Sequence, residues 1–191
     1  MNFLAHLFLS GNNEEIMVGN ILADRSRGLI KKNLSEGILS GIKLHHEIDH
    51  YTDNHSVVAL TKKRLNPDFG HYAPVITDIY YDHFLALHWD EYSDVSLDIF
   101  AKKCYSVLKK YKNIFPTNFQ FALMYMRFRN LLVSYRTFDG VKFAFDKMSG
   151  RAVNSHNLHL AVDELKRNYS LYENEFIEFF DDLIKHFPLL E

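Results

Sequence analysis

Residues 158–187 read LHLAVDELKRNYSLYENEFIEFFDDLIKHF, and the spacing of the apolar side chains in this stretch decides the fold. After Tyr172, the apolar residues Phe176, Phe179, Phe180 and Leu183 follow at intervals of three and four. This period places them on one face of a helix, whereas a half-buried strand would alternate at every second residue. The same period recurs along most of the chain, so the sequence predicts an all-α fold.

The pattern predicts about seven to nine helices. Four residues are predicted to be helix N-caps: Asn13, Ser35, Asp94 and Ser155. Pro116 suits the first turn of a helix, and Pro67, Gly70 and Pro74 are expected to bracket a connection between two helices. The approximate helical ranges are 2–9, 13–24, 34–51, 55–66, 72–90, 94–112, 117–136, 138–148 and 155–186, the last broken near residue 170. No repeat or long linker interrupts them, so residues 1–191 are expected to form a single-domain multi-helix bundle.

Composition and charge exclude several classes of protein. With 47% apolar and 24% charged residues, the 191-residue chain is neither disordered nor of low complexity. Twenty-two basic and 24 acidic residues leave a net charge of −2, which argues against a nucleic-acid partner. Apolar runs fall short of the roughly 20 residues of a membrane helix. Cys104 has no partner for an internal disulfide, and the N-terminus lacks a basic signal region, so a cytoplasmic protein is expected.

Histidines and carboxylates concentrate in three helical stretches of the first half of the chain. They are GNILADR at 19–25, LHHEIDHYTDNH at 44–55 and TDIYYDHFLALHW at 77–89. Residues four apart share a helix face, so His45, Asp49 and Asp53 form one stripe. Asp78 and Asp82 are likewise four apart, and Asp24 ends an apolar segment.

These groups flank apolar residues in helices that are expected to pack together. Taken alone, a histidine four residues from an aspartate is typical of a surface pair. Burying several such groups without a cation, however, would cost on the order of several kcal/mol per unpaired charge. A His/Asp set without cysteine favours a catalytic, water-bearing metal site over structural zinc. The residues proposed to share this site are Asp24, His45, Asp49, Asp78, Asp82 and His83.

At these motifs the sequence resembles the acyl carrier protein phosphodiesterase family, also called acyl carrier protein hydrolyase. The resemblance extends to the opening MNFLAHL at 1–7, to Ser149-Gly150-Arg151 and to the terminal phenylalanines. It implies an all-helical, HD-domain-like fold, distantly related to HD-domain phosphohydrolases. It also implies hydrolysis of 4′-phosphopantetheine from the serine of holo-acyl carrier protein, giving apo-carrier protein. The implied cofactor is a divalent cation, Mn²⁺ first, with Mg²⁺, Fe²⁺ or Co²⁺ as alternatives.

The resemblance also implies roles for individual residues. The implied metal ligands are Asp24, His45, Asp49, Asp82 and His83. The implied catalytic residues, placed behind the ligands or in proton transfer, are His6, Asp53, Asp78 and His88. Because carrier proteins of this kind are implied to be acidic, a basic group that follows Asp24 is expected to bind the substrate, although it could equally be solubilising. It consists of Arg25, Arg27, Lys31 and Lys32, with a second basic group at Lys62, Lys63 and Arg64.

Two other functions remain open at the level of sequence. One is an HD-like phosphohydrolase that acts on a nucleotide, although no base-recognition motif favours it. The other is a non-catalytic, helical metal-binding protein. Neither motif nor composition indicates an oligomeric state.

Overall fold

The computed structural model describes residues 2–23, 34–149 and 157–188, and this part of the chain contains helices and no strand. The predicted all-α fold is therefore confirmed. Among the described residues, short 3₁₀ turns lie between helices at Gly70–Tyr72, Lys112–Ile114 and Leu158–Leu160. The helices are α1 (Phe3–Leu9), α2 (Glu14–Leu22), α3 (Glu36–Asn54), α4 (Ser56–Phe69), α5 (Ala73–Leu87), α6 (Trp89–Tyr92), α7 (Leu97–Lys110), α8 (Thr117–Phe128), α9 (Leu131–Ser134), α10 (Phe138–Ser149), α11 (Ala161–Arg167) and α12 (Tyr169–His186).

Helix α5 is the centre of the bundle. Eleven of its fifteen residues are buried, among them Tyr80, Tyr81 and Phe84. A helix that is apolar on all sides must be surrounded, and α5 packs against α1, α4, α10 and α12. The rings of Phe176 and Phe179 on α12 pack against Phe84 and Tyr81 of α5. The central position of α5 explains why polar residues on it are also buried.

Helices α2 and α3 approach each other unusually closely, and two glycines permit this approach. A Cβ atom on Gly41 would lie 2.2 Å from the carbonyl oxygen of Ile16, and one on Gly19 would lie 2.0 Å from that of Ile38. Because the obstacle is backbone in both cases, no side-chain rotation would relieve the clash. The close approach is what brings a polar side chain of α2 to the middle of α3.

Local capping chemistry confirms two of the predicted helix starts. The side chain of Asn13 accepts hydrogen bonds from the amides of Glu15 and Ile16, at 3.0 and 3.1 Å. Ser35 accepts one from Ile38, at 3.4 Å. The cap predicted at Asp94 is wrong, because Ser96 is the residue that precedes α7. Ser155 lies outside the described residues.

Some predicted boundaries also differ from the structure. The range 117–136 is interrupted after Phe128, where Asn130 takes a left-handed conformation with φ of 47°. The range 72–90 ends at Leu87, and a separate short helix follows. Pro67, expected in a connection, lies inside α4, because the buried stripe continues to Phe69. The predicted break near residue 170 is confirmed, since Asn168 separates α11 from α12.

The described helices include none with the length and apolar character that crossing a membrane requires.

Candidate metal centre

Helices α1 and α3 bring together two imidazoles and one carboxylate. The Nε2 atom of His6 lies 3.2 Å from Oδ1 of Asp49, and Nε2 of His45 lies 3.1 Å from Oδ2 of the same carboxylate. The two imidazole rings stack with centroids 4.2 Å apart. Each of the three residues offers one possible ligand atom, and these three atoms lie within 4.8 Å of one another. Among the described residues, His6, His45 and Asp49 are the histidines, cysteines and carboxylates that come close enough in a group of three to share a cation.

The two imidazoles are buried, while the carboxylate reaches the surface. His6 is 3% exposed and His45 is 4% exposed, whereas the side chain of Asp49 is 37% exposed. Among the described residues, neither ring nitrogen of His6 makes a hydrogen bond, and Nε2 contacts Asp49 as a possible ion-pair partner. Burial lowers the pKa of His6, so its neutral form is favoured. Buried, neutral imidazole nitrogens without a protein partner are suited to bind a metal.

Asn20 on α2 fixes the protonation of His45. The amide nitrogen of Asn20 donates to the carbonyl oxygen of His6 at 2.9 Å and to Oγ of Ser10 at 3.0 Å. Its oxygen is therefore the atom that faces Nδ1 of His45, at 3.2 Å, and Nδ1 must carry the proton. In the neutral ring this leaves the lone pair of Nε2 directed at Asp49. A lone pair and a carboxylate oxygen repel each other unless a cation or a proton lies between them.

The charge of Asp49 is favoured by its neighbours. Burial opposes ionisation, but the imidazoles of His45 and His6, when the nitrogen that faces the carboxylate carries a proton, hold the pKa of this carboxyl well below its usual range. A cation in the place of that proton would favour the ionised carboxylate in the same way. An ionised carboxylate beside two imidazoles is a donor set that suits Mn, Fe, Co or Zn ions. Three protein ligands leave coordination positions open, as in catalytic rather than structural sites. The arrangement thus fits a divalent cation that is reached from the side of Asp49.

Asp82, a predicted metal ligand, contacts backbone amides of α1 in the structure. Its two carboxylate oxygens accept hydrogen bonds from the backbone amides of Leu4 and Ala5, at 2.9 and 3.2 Å. Burial raises the pKa of Asp82 to about 7, and the two amide donors act in the opposite direction. Asp82 therefore caps the first turn of α1 from the central helix. By holding that turn it positions His6, which directly follows Ala5 in α1.

Protein groups engage both ring nitrogens of His83. Nδ1 donates to the carbonyl oxygen of Tyr135 at 2.6 Å, and Nε2 accepts from the hydroxyl group of Tyr169 at 3.1 Å. Burial lowers the pKa of His83, which keeps this ring neutral. The structure does not bring His83 or Asp82 into the cluster with His45 and Asp49. Asp24, the remaining predicted ligand, lies outside the described residues.

The predicted catalytic residues other than His6 are also dispersed. Asp53 is exposed and pairs with Lys62 at 2.7 Å, and Asp78 is half-buried on α5, one turn before Asp82. His88 binds Glu91 through Nδ1 and Glu173 through Nε2, both at 2.8 Å. Burial lowers the pKa of His88, but the two glutamates outweigh it, and the pKa lies above its ordinary value. His88 thus connects the end of α5 to α12.

The predicted basic groups are located as follows. Arg25, Arg27, Lys31 and Lys32 lie outside the described residues. In the second group, Lys62 pairs with Asp53, and Arg64 pairs with Glu175 at 2.8 Å.

Asn20 was not predicted as a site residue, and His6 was predicted in a role behind the ligands or in proton transfer, not among the ligands. The sequence does contain a signal for each of these residues, a polar side chain inside an apolar helical run. Asn20 interrupts the apolar run VGNIL of α2, and His6 interrupts the apolar FLAHLFL of α1. A polar residue inside an apolar helical run is buried when the helix packs, so it requires a polar partner.

Comparison with known proteins extends over nearly the whole chain. The family model described as acyl carrier protein phosphodiesterase matches residues 1–183. A Shigella boydii protein named acyl carrier protein phosphodiesterase is 32% identical over 94% of this chain and 94% of its own length. Proteins of that name from Klebsiella pneumoniae and Photorhabdus laumondii are 29% and 28% identical, covering 97% and 94% of this chain and 96% and 91% of their own lengths. No solved structure matches the chain significantly.

Proposed function

Because this chain belongs to the acyl carrier protein phosphodiesterase family, whose members are enzymes that hydrolyse phosphodiester bonds, we propose that it removes 4′-phosphopantetheine from holo-acyl carrier protein. The reaction cleaves the bond between phosphorus and the serine oxygen of the carrier protein, with water as the second reactant. The products are apo-carrier protein and 4′-phosphopantetheine. The substrate is therefore a protein, and no nucleic acid or membrane takes part; a cytoplasmic location stays a prediction.

The observation that carries the proposal is the cluster of His6, His45 and Asp49. We propose that these three residues hold a divalent cation, with Mn²⁺ the first candidate and Mg²⁺, Fe²⁺ or Co²⁺ the alternatives. When bound, such a cation lowers the pKa of a water molecule and offsets phosphate charge in the transition state. The orphaned nitrogens of buried His6, and the lone pair of His45 directed at Asp49, support this assignment.

Other residues of the chain orient these three. Asn20 holds the Nδ1 proton of His45 and the backbone of His6 at once, so it fixes both rings relative to each other. Asp82 fixes the first turn of α1. His6 and His45 are themselves buried, so bulk water has little access to the imidazole side of the cluster.

The departing serine oxygen requires a proton or a second cation, because an alkoxide is a poor leaving group. The sequence indicated His6 and His88 as donors. His6 lies beside Asp49, whereas glutamates occupy both nitrogens of His88. We therefore propose that His88 stabilises the contact of α5 and α6 with α12, and that Asp24, Asp53 and Asp78 remain candidates for roles around the site.

The test is a mobility assay of holo-to-apo conversion with purified protein and Mn²⁺. We expect conversion of the holo-carrier protein, release of 4′-phosphopantetheine confirmed by mass spectrometry, and loss of the activity with a chelator. Parallel incubation with guanosine polyphosphates serves as the comparison. Hydrolysis of the nucleotides but not of the carrier protein would favour the HD-like nucleotide phosphohydrolase. Activity on neither substrate with any divalent cation would favour the non-catalytic function.

A further inference from the structure

Helix α8 exposes an apolar stripe that the fold does not cover. Phe121 is 66% exposed, Met124 is 67% exposed and Phe128 is 83% exposed. Their spacing of three and four places them on one face of α8, and the opposite face is buried through Phe119 and Leu123. Contiguous exposed apolar side chains on a folded chain typically mark an interaction surface.

Two grooves flank this stripe. The larger has a volume of about 540 Å³ and lies between the start of α1, α8 and α10. The smaller, of about 400 Å³, lies between α7 and α8, and Phe121 lines both. Grooves of this kind can hold the side chains of a protein partner, which typically anchor in pockets. The surface of a lipid bilayer has no such protruding side chains, so a protein partner is favoured over a membrane.

The charge of this surface has one sign. The described residues that line the grooves include five cations and no carboxylate, although the chain as a whole carries a net charge of −2. Two of the cations are held against aromatic rings, since Arg129 lies 4.7 Å from the ring centre of Phe143 and Lys147 lies 5.1 Å from that of Tyr125. The five cations are Lys109, Lys112, Arg127, Arg129 and Lys147.

Helix α1 connects this surface to the candidate metal centre. Asn2 and Phe3 line the larger groove, and the ring of Phe3 packs against that of Phe119, with centroids 6.4 Å apart. His6 follows Phe3 by three residues, about 4.5 Å along a helix axis. A partner in the groove therefore lies near the helix that carries a candidate ligand.

We propose that the α8 surface, meaning the exposed stripe and its two cationic grooves, docks the protein part of the substrate. The occupant is an acidic protein surface with exposed apolar side chains, which on the proposed function is the carrier protein itself. The apolar residues supply affinity, and the cations accelerate encounter and orient the partner. The five cations of this surface are different residues from the basic group that the sequence indicated at Arg25, Arg27, Lys31 and Lys32.

The test measures the affinity of fluorescently labelled apo-carrier protein by anisotropy, so that no turnover occurs. Phe128→Ser and the double variant Arg127→Glu/Arg129→Glu are each expected to weaken binding about tenfold. Added salt should weaken binding to the wild type and reduce the effect of the double variant, but not that of Phe128→Ser. The control is Lys166→Glu/Lys185→Glu, which changes the net charge equally at exposed positions of α11 and α12 and should bind normally.

Three results would overturn the docking site. One is unchanged affinity in both α8 variants. Another is a wild-type dimer in analytical ultracentrifugation that Phe128→Ser dissociates, which would make α8 an interface between copies of this chain. The third is binding to phosphatidylglycerol vesicles with no binding to the carrier protein. Hydrolysis of holo-carrier protein by the wild type is measured separately. Its absence would overturn the proposed function, whereas normal hydrolysis with unaffected α8 variants would overturn only the docking site.

Discussion

Replacing Asp49 with alanine is expected to lower the rate of holo-carrier-protein hydrolysis by more than about 100-fold. Loss of a residue that merely orients a ligand typically costs about 10–100-fold, and Asp49 contacts both imidazoles of the cluster. It also supplies the negative charge that a cation would bind. Initial rates of apo-carrier-protein formation, measured at saturating Mn²⁺, give the result. Asn20→Ala removes the hydrogen-bond acceptor of His45 Nδ1, and it should lower the rate by about 10–100-fold.

The matched control is Glu47→Ala. Glu47 lies on the same helix two residues earlier, is exposed, and pairs with Lys43 at 3.3 Å. Its removal should change the rate less than about twofold, because an exposed pair of this kind contributes little. Circular dichroism of each variant verifies the fold. A folded Asp49→Ala protein with the wild-type rate would refute the role of this cluster in hydrolysis.

Replacing Gly41 with alanine is expected to destabilise the protein by about 3 kcal/mol, the upper part of the usual range for overpacking. The added Cβ would lie 2.2 Å from the carbonyl oxygen of Ile16, so α2 must move away from α3. A loss of this size lowers the Tm of a chain of this length by about 10 °C. Since Asn20 moves with α2, activity should fall as well. Thermal unfolding followed by circular dichroism measures the shift in Tm.

Gly37→Ala is the control for this substitution. Gly37 is also on α3, but the atoms nearest to its added Cβ belong to the side chain of Glu15 and not to backbone. The carboxylate of Glu15 can rotate aside, whereas its Cβ, 2.8 Å away, requires a small shift at the first turn of α2. Alanine also favours the helix by about 0.5–1 kcal/mol relative to glycine. We therefore expect a change within about 1 kcal/mol. Equal Tm values for the two variants would show that close packing of α2 on α3 does not limit stability.

Much of the fold could be predicted from local features of the sequence, namely the spacing of apolar residues and the helix-capping residues. Spacing of three and four predicted the helices, and Asn13 and Ser35 predicted two of their starts. The spacing of His45 and Asp49 predicted a shared helix face, and their side chains lie 3.1 Å apart. The breaks at Asn130 and after Leu87 were not predicted, because neither proline nor glycine marks them; Asn130 itself takes the left-handed conformation that ends a helix.

The candidate site was harder to predict because its partners come from different helices. A carboxylate in an apolar helix requires a donor, but the sequence does not say whether that donor is a metal or a backbone amide. Asp82 is bound by the amides of α1, and His83 by Tyr135 and Tyr169. Conversely, the role of His6 depends on how α1 crosses α3, which no local pattern encodes.

Isothermal titration with MnCl₂ tests the central claim, that His6, His45 and Asp49 hold a divalent cation. We predict saturable binding to the wild type, at least about tenfold weaker binding in His6→Ala, His45→Ala and Asp49→Ala, and wild-type affinity in folded His83→Ala. The account is contradicted if the three variants bind Mn²⁺ as the wild type does, or if the wild type binds neither Mn²⁺ nor Mg²⁺, Fe²⁺ or Co²⁺.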